Sequence, residues 1–281
     1  MAKTILITVD LEDWFQVENL RPSFPHELWD KCQIRVEQST DKLLKLFERH
    51  NIKATFFVLG WLAERLPALI RRIQSAGHEI ASHGYGHQLC TELDSTALKD
   101  DILRSKKILE SIIDAEIKGY RAPNFSINES LPSILQETGF IYDSSYNDFA
   151  AHGRYGSLPG SWATNNTGIL KNKTGFYEIP VRNIKIFGKS IPWAGGGYFR
   201  LLPVWLFKKG VEFFLRQEKF YLFYCHPWEF DPDQPRAKGL KFNHSFRHYV
   251  NLAPNLNKLN YFLTALKGNR FITCSQLINL S

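Results

Sequence analysis

Two histidines stand four residues apart in Ser82-His83-Gly84-Tyr85-Gly86-His87, directly after the apolar pair Ile80-Ala81. Two neutral imidazole nitrogens on one face of a turn supply two of the three protein ligands that hold a catalytic divalent cation and leave a coordination position open. Other residues suited to hydrolysis close short apolar runs elsewhere. Asp10, Glu12 and Asp13 follow the run 5–9, Arg121 and Asp143 end two later runs, and His226 follows 220–225. In parallel α/β architectures the loops at the C-terminal ends of strands converge on one mouth, so polar groups delivered there meet in space.

The elements that must deliver them are legible in order. The β-branched run 5–9 reads as a buried strand, residues 11–34 as a long aromatic and acidic loop, 36–50 as a helix and 53–59 as a second strand. A helix over 67–76 stops at Gly77 and the third strand follows at once. Asp94 is placed to cap a long helix reaching residue 113. A strand at 117–121, a helix at 129–138 and a strand at 140–143 continue the alternation. Beyond Ser144 the rhythm breaks in the Gly-, Asn- and aromatic-rich tract 150–191, which holds one strand-like stretch at 177–182. An amphipathic helix over 203–217, the strand 220–225, a polar connection over 236–255, a helix over 257–267 and a strand over 271–274 complete the chain. Strand and helix alternating at such intervals mark parallel βαβ units, in a barrel or a wound open sheet.

At 281 residues and 44% hydrophobic the chain is expected to fold as a single domain over 1–281. Its net charge is +7, but the lysines and arginines are scattered and the longest basic runs are pairs such as Arg71-Arg72 and Lys208-Lys209, so no nucleic acid partner is expected. A mildly basic surface is compatible with peripheral contact to an anionic headgroup. Four cysteines without paired spacing read as reduced thiols. The apolar stretch at the N-terminus is too short for a signal peptide, and no run suits a membrane span, so a cytoplasmic location is expected.

Five blocks in order resemble the NodB-homology polysaccharide deacetylases, carbohydrate esterase family four. They are Val9-Asp10-Leu11-Glu12-Asp13-Trp14, Ala54-Thr55-Phe56-Phe57, Gly77 through His87, Gly119-Tyr120-Arg121-Ala122-Pro123 and Phe140-Ile141-Tyr142-Asp143-Ser144-Ser145. Two later blocks, 194–203 and 226–232, resemble the subgroup found with exosortase and exopolysaccharide gene clusters. The resemblance implies a distorted (β/α) barrel, with core motifs in 1–145 and a subgroup-specific half in 146–281, that removes acetyl groups from an N-acetylated sugar with a metal ion. It implies His83 and His87 as metal ligands, Asp10 as general base and Arg121 as the group holding that base. It also implies His226 as general acid, Asp143 as the carboxylate orienting it, and the peptide N–H of Asn124, after Pro123, as oxyanion donor, where relatives often carry Tyr. The family pattern has two adjacent aspartates, base then ligand, and this chain reads Asp10-Leu11-Glu12-Asp13. Asp13, of the usual residue type, is favoured as third ligand; Glu12 shares strand parity with Asp10 and takes the place if the strand stays extended.

Such a site suits zinc first, with cobalt, nickel or iron as alternatives. The substrate expected is an N-acetylhexosamine unit of an exopolysaccharide or its lipid-linked precursor. Aromatic faces at Trp14, Trp193, Tyr198 and Trp228, with Pro123, are candidates to meet sugar rings. The competing readings are hydrolysis of another amide, as in allantoinase-like relatives, and a sugar-binding protein without turnover.

Overall fold

The computed structural model describes residues 2–149, 156–186, 189–237 and 239–281. Strands β1 (Thr4–Leu11), β2 (Thr55–Val58), β3 (Glu79–Ser82), β4 (Gly119–Tyr120) and β5 (Tyr142–Asp143) are followed by β6 (Trp162–Thr164), β7 (Leu170–Asn172), β8 (Tyr177–Glu178), β9 (Ile184–Ile186), β10 (Lys189–Ile191), β11 (Phe220–Cys225) and β12 (Arg270–Phe271). One sheet runs in the order β11-β1-β2-β3-β4-β5-β8-β7-β6, and every neighbouring pair from β11 to β8 is parallel. β7 and β6 extend it antiparallel, while β12 pairs with the start of β1. At the other edge Tyr224 donates its N–H to the carbonyl of Ala194 (2.8 Å), so the chain before α6 (Gly196–Leu201) lies alongside β11 and curls the sheet toward a distorted barrel.

The remaining helices are α1 (Val36–Arg49), α2 (Gly60–Arg65), α3 (Pro67–Ser75), α4 (Ser95–Ile113), α5 (Leu131–Glu137), α7 (Val204–Gln217), α8 (Phe242–Tyr249), α9 (Asn255–Ala265) and α10 (Cys274–Ile278). Side chains alternate along β1. Ile5, Ile7, Val9 and Leu11 enter the core that also holds Leu43 and Phe47 of α1 and Leu109 of α4. Leu6 faces the other way, into a smaller cluster with Phe57, Ala81, Tyr142, Ile179 and Leu222. Thr8 and Asp10 continue that inner face toward the C-terminal end, where it turns polar. Cys274 and Leu277 of α10 join the inner cluster, and Ser275 donates to Glu79, which closes the opposite end.

Most expected elements form, with Asp94 capping α4 through Thr96 and Ala97 as the sequence implies. The differences have local causes. Residues 11–34 are not open loop but wind through short 3₁₀ turns, the first capped by Asp13. The stretch 177–182 pairs as a strand only over Tyr177–Glu178, because Pro180 has no N–H to give a ladder. The connection over 236–255 contains α8, and the last strand ends at Phe271 because Thr273 caps α10. Within the tract 150–191, residues 150–155 and 187–188 lie outside the described residues.

Candidate active site

β1 runs straight through Leu11, and the Glu12 N–H then bonds the Asp10 carbonyl (3.0 Å), which keeps Glu12 aimed into the same mouth as Asp10. From β3 the chain enters the loop 83–87, held by Asp101 of α4: its two carboxylate oxygens accept the N–H groups of Tyr85 (2.8 Å) and Gly86 (3.1 Å). Gly84 has φ +73° and a Cβ there would meet Asp101 at 2.7 Å, so this turn requires glycine. His87 is also left-handed (φ 53°), a strained state for a non-glycine residue that turns its ring back toward the mouth.

The ring of His83 has its Nδ1 on the Arg121 carbonyl (2.7 Å), so Nδ1 carries the proton and the lone pair of Nε2 points inward. That Nε2 lies 3.2 Å from Glu12 Oε1, and Nε2 of His87 lies 2.9 Å from the same oxygen. The three ligand atoms fall within 4.8 Å of one another, all buried. Two imidazoles and one carboxylate converging on a point are a donor set that fits a divalent cation such as zinc. Burial alone would raise the Glu12 carboxyl, but His87, His226 and His83 around it hold it well below the usual range. His87 is pushed up despite its burial, because Glu12 faces it.

Asp13, favoured above as third ligand, does not reach this cluster. It caps the 3₁₀ turn Trp14–Gln16, and its carboxylate accepts the backbone N–H groups of Trp14 (2.8 Å), Arg35 (2.6 Å) and Val36 (2.9 Å). The physical reason is parity: one residue beyond Glu12, its side chain leaves the opposite side of the chain. Burial pushes it up to about 6 in spite of these donors.

Beside the cluster, Arg121 is fully buried and donates through Nη1 to Asp10 Oδ1 (2.7 Å) and to the Thr8 hydroxyl (2.9 Å), while Nε and Nη2 bond Ser144. Asp10 Oδ2 is left facing His226 Nε2, 3.8 Å away. The other ring nitrogen of His226 lies 3.3 Å from Glu229 Oε2, which also accepts the His226 N–H (3.0 Å). Glu229 Oε1 in turn accepts from the buried Arg200 (2.9 Å), whose terminal nitrogens donate to the carbonyls of Arg247, His248 and Val250. Burial would lower His226, but Glu12, Glu229 and Asp10 together push it up to about 9.

Asp143 therefore does not orient His226. Its register places it level with Tyr120 and Glu178, on the side of the sheet facing α4, and its Oδ1 accepts from Ser144 and Ser145. Burial pushes it up to about 7, and Glu178 beside it is raised further by burial and by Asp143. Glu229, Arg200 and Asp101 were missed in the sequence. The first was within reach, since His226 and Glu229 stand three apart, a spacing that brings side chains together in a helical turn.

Pro123 opens a 3₁₀ turn in which Asn124 (φ 51°) and Phe125 (φ 57°) are both left-handed, and Asn124 lines the cleft with its side-chain nitrogen buried and unpaired among the described residues. Trp228 lines it too, stacked between His226 and His248, with an indole N–H that has no described partner. The other aromatic candidates are elsewhere. Trp14 is buried against Phe15 and Phe24 with its N–H on the Gln33 carbonyl, and Trp193 stacks on Phe207. Tyr198 does not line the cleft, whereas Gly196, Gly197 and Arg200 of the same helix do. Two glycines and an arginine thus line the cleft where an aromatic was expected.

Residues 27–142 match the family model Polysaccharide deacetylase. The chain carries a NodB-type polysaccharide deacetylase domain. Residues 144–279, the part that contributes His226, Glu229 and Arg200, match a Domain of unknown function (DUF3473). The chain is similar to the peptidoglycan deacetylase of Helicobacter pylori, 30% identical over 129 residues that make up 45% of this chain and 43% of that protein. It is also similar to a peptidoglycan-N-acetylglucosamine deacetylase of Bacillus cereus, 32% identical over 102 residues, 36% of this chain and 37% of the other. The chain thus matches less than half the length of these relatives. A solved structure from Mycobacterium smegmatis described as belonging to the polysaccharide deacetylases superposes with a TM-score of 0.63 at 21% identity, covering 99% of this chain and 90% of that one. An allantoinase structure superposes at 0.60 with 17% identity, covering 98% and 89%. At these identities the superpositions speak for the fold.

Proposed function

We propose that the protein is a metal-dependent hydrolase that removes the acetyl group from N-acetylhexosamine units of an exopolysaccharide or its lipid-linked precursor. The observation that carries the reading is the convergence of Glu12, His83 and His87 beside two further devices, Asp10 with Arg121 and His226 with Glu229. The relatives named as deacetylases support the reaction class. The resemblance of 194–203 and 226–232 supports the exopolysaccharide setting. The free cysteines Cys32, Cys90, Cys225 and Cys274 are in keeping with a cytoplasmic one.

Glu12, His83 and His87 would hold one divalent cation, zinc by its donor set, which when bound polarises the amide carbonyl and acidifies water. Asp10 Oδ2, left over from the Arg121 bond, takes a proton from the water that attacks the acetyl carbon. The peptide N–H of Asn124 donates to the oxygen as charge builds on it. His226 gives its Nε2 proton to the sugar nitrogen as the C–N bond breaks, leaving acetate and a free amine. Glu229, locked by Arg200, holds the imidazolium in place for that transfer.

Acetate release from N-acetylglucosamine oligomers and from a lipid-linked acceptor, after chelation and after metal add-back, tests the reading. Release that depends on the added metal is expected, with allantoin inert. No metal-dependent acetate from any glycan would overturn it.

A further inference from the structure

All 28 acidic residues of the chain precede Gln234. The 48 residues from Gln234 to Ser281 hold seven Lys and Arg and no Asp or Glu, so the whole net charge of +7 resides there. Inside that segment α8 has two dissimilar sides. His248 is buried, stacked on Trp228 at 4.4 Å and bonded to Gln234, and so belongs to the wall of the cleft. Phe242 and Phe246, one turn apart, are 85% and 51% exposed, their rings stacked at 6.3 Å. Lys241 precedes the helix, Arg247 lies in it at the cleft's rim, and Arg236 packs over Tyr249 at 4.1 Å. Of the acids on this side of the molecule, Asp231 pairs with Arg35 at 2.5 Å, Glu229 with Arg200 at 2.9 Å, and Glu18 lies 3.7 Å from Arg21.

Two adjoining phenyl rings held in water mark a contact surface, and the surrounding charges specify what it meets. We propose that α8 docks on the headgroup region of an anionic bilayer, its two phenylalanines entering the acyl boundary and its cations meeting lipid phosphates. Phenyl rings have no polar atom for sugar hydroxyls, and apolar residues ringed by Lys and Arg are the composition of helices that lie in a bilayer interface. Because the same helix walls the cleft, docking would present the mouth to a saccharide carried on a lipid at that surface. This placement rests on the deacetylase reading above.

Flotation of the full chain with vesicles of phosphatidylcholine alone, or mixed with phosphatidylglycerol, tests it. Binding to the mixed vesicles only, weakened by salt, is expected, and the double variant Phe242→Ser/Phe246→Ser should bind about tenfold more weakly. The variant should keep its circular dichroism spectrum and its acetate release from soluble oligomers. The proposal fails if the wild type ignores anionic vesicles, or if the double variant floats as well as the wild type. It fails equally if gel filtration shows a dimer that the substitutions split while vesicles bind neither protein. Vesicle binding without acetate release would count against the deacetylase reading and leave the docking intact.

Discussion

Glu12 and Asp13 are adjacent carboxylates with separate tasks, one facing two imidazoles and the other tying three backbone N–H groups. Glu12→Ala and His83→Ala are each expected to lose the bound metal, and Asp13→Asn to keep it, by elemental analysis of the purified proteins. Asp10→Asn should retain metal while kcat falls by about 10²–10⁴, the range for removing a general base. For His226 the sign is set by its neighbours. Its acid form persists to about 9 because Glu12, Glu229 and Asp10 outweigh its burial, so activity falls as pH rises through that region. A cation at Glu12 would cancel part of the effect, but the contribution of Glu229 would remain. Glu229→Gln should therefore move the alkaline limb of kcat to lower pH at unchanged metal content, and a limb that stays put would remove Glu229 from its positioning role.

At the scale of elements, the metal-facing loop is shaped from outside. Asp101 of α4 draws in the Tyr85 and Gly86 N–H groups, and the start of α2 takes the carbonyls of Gly84 and Tyr85 through the N–H groups of Gly60 (2.9 Å) and Trp61 (3.1 Å). Neither contact touches the cation site, yet both fix where His83 and His87 point. Asp101→Asn retains one acceptor and loses the other, so metal affinity should drop about tenfold, as for other groups that orient ligands. Competition with a chelator would measure it, with helix content by circular dichroism as the check that α4 is intact.

For the whole molecule, β1 lies between β11 and β2, and this brings Asp10 near one end of the sequence to within 3.8 Å of His226 near the other. His83, His87 and Arg121 lie in the residues matching the deacetylase model and His226 and Glu229 in those matching DUF3473, while Asp10 and Glu12 precede both, so the site is assembled across all three stretches. Asp143 and Glu178, on the helix side, carry a consequence for stability. Both are raised by burial beside each other, Asp143 to about 7 from an unfolded value near 4. Their folded state favours the protonated form, so the stability they contribute is present at low pH and lost as pH rises through about 7. Asp143→Asn removes one acid while still accepting from Ser144 and Ser145. It should raise Tm at pH 8 by about 2–4 °C and change it little at pH 4, read by calorimetry. A large fall in kcat for this variant would instead restore Asp143 to the catalytic group.

The sequence alone determined what depends on neighbours along the chain: the βα alternation, the Asp94 cap, the close of each apolar run at a polar residue, and the paired histidines on one turn. These are local because hydrogen-bonding period and side-chain alternation are set by adjacent residues. Tertiary structure decided which of those polar residues meet. Whether Glu12 or Asp13 faces His83 depends on how far β1 stays extended, and that follows from its pairing with β2 and β11. Whether Asp143 or Glu229 serves His226 depends on sheet register, which sends Asp143 to the helix side, and on the turn after β11, which folds Glu229 back. Parity along a strand can be counted from residues; the side of the sheet on which that parity falls is fixed only when the strands pair.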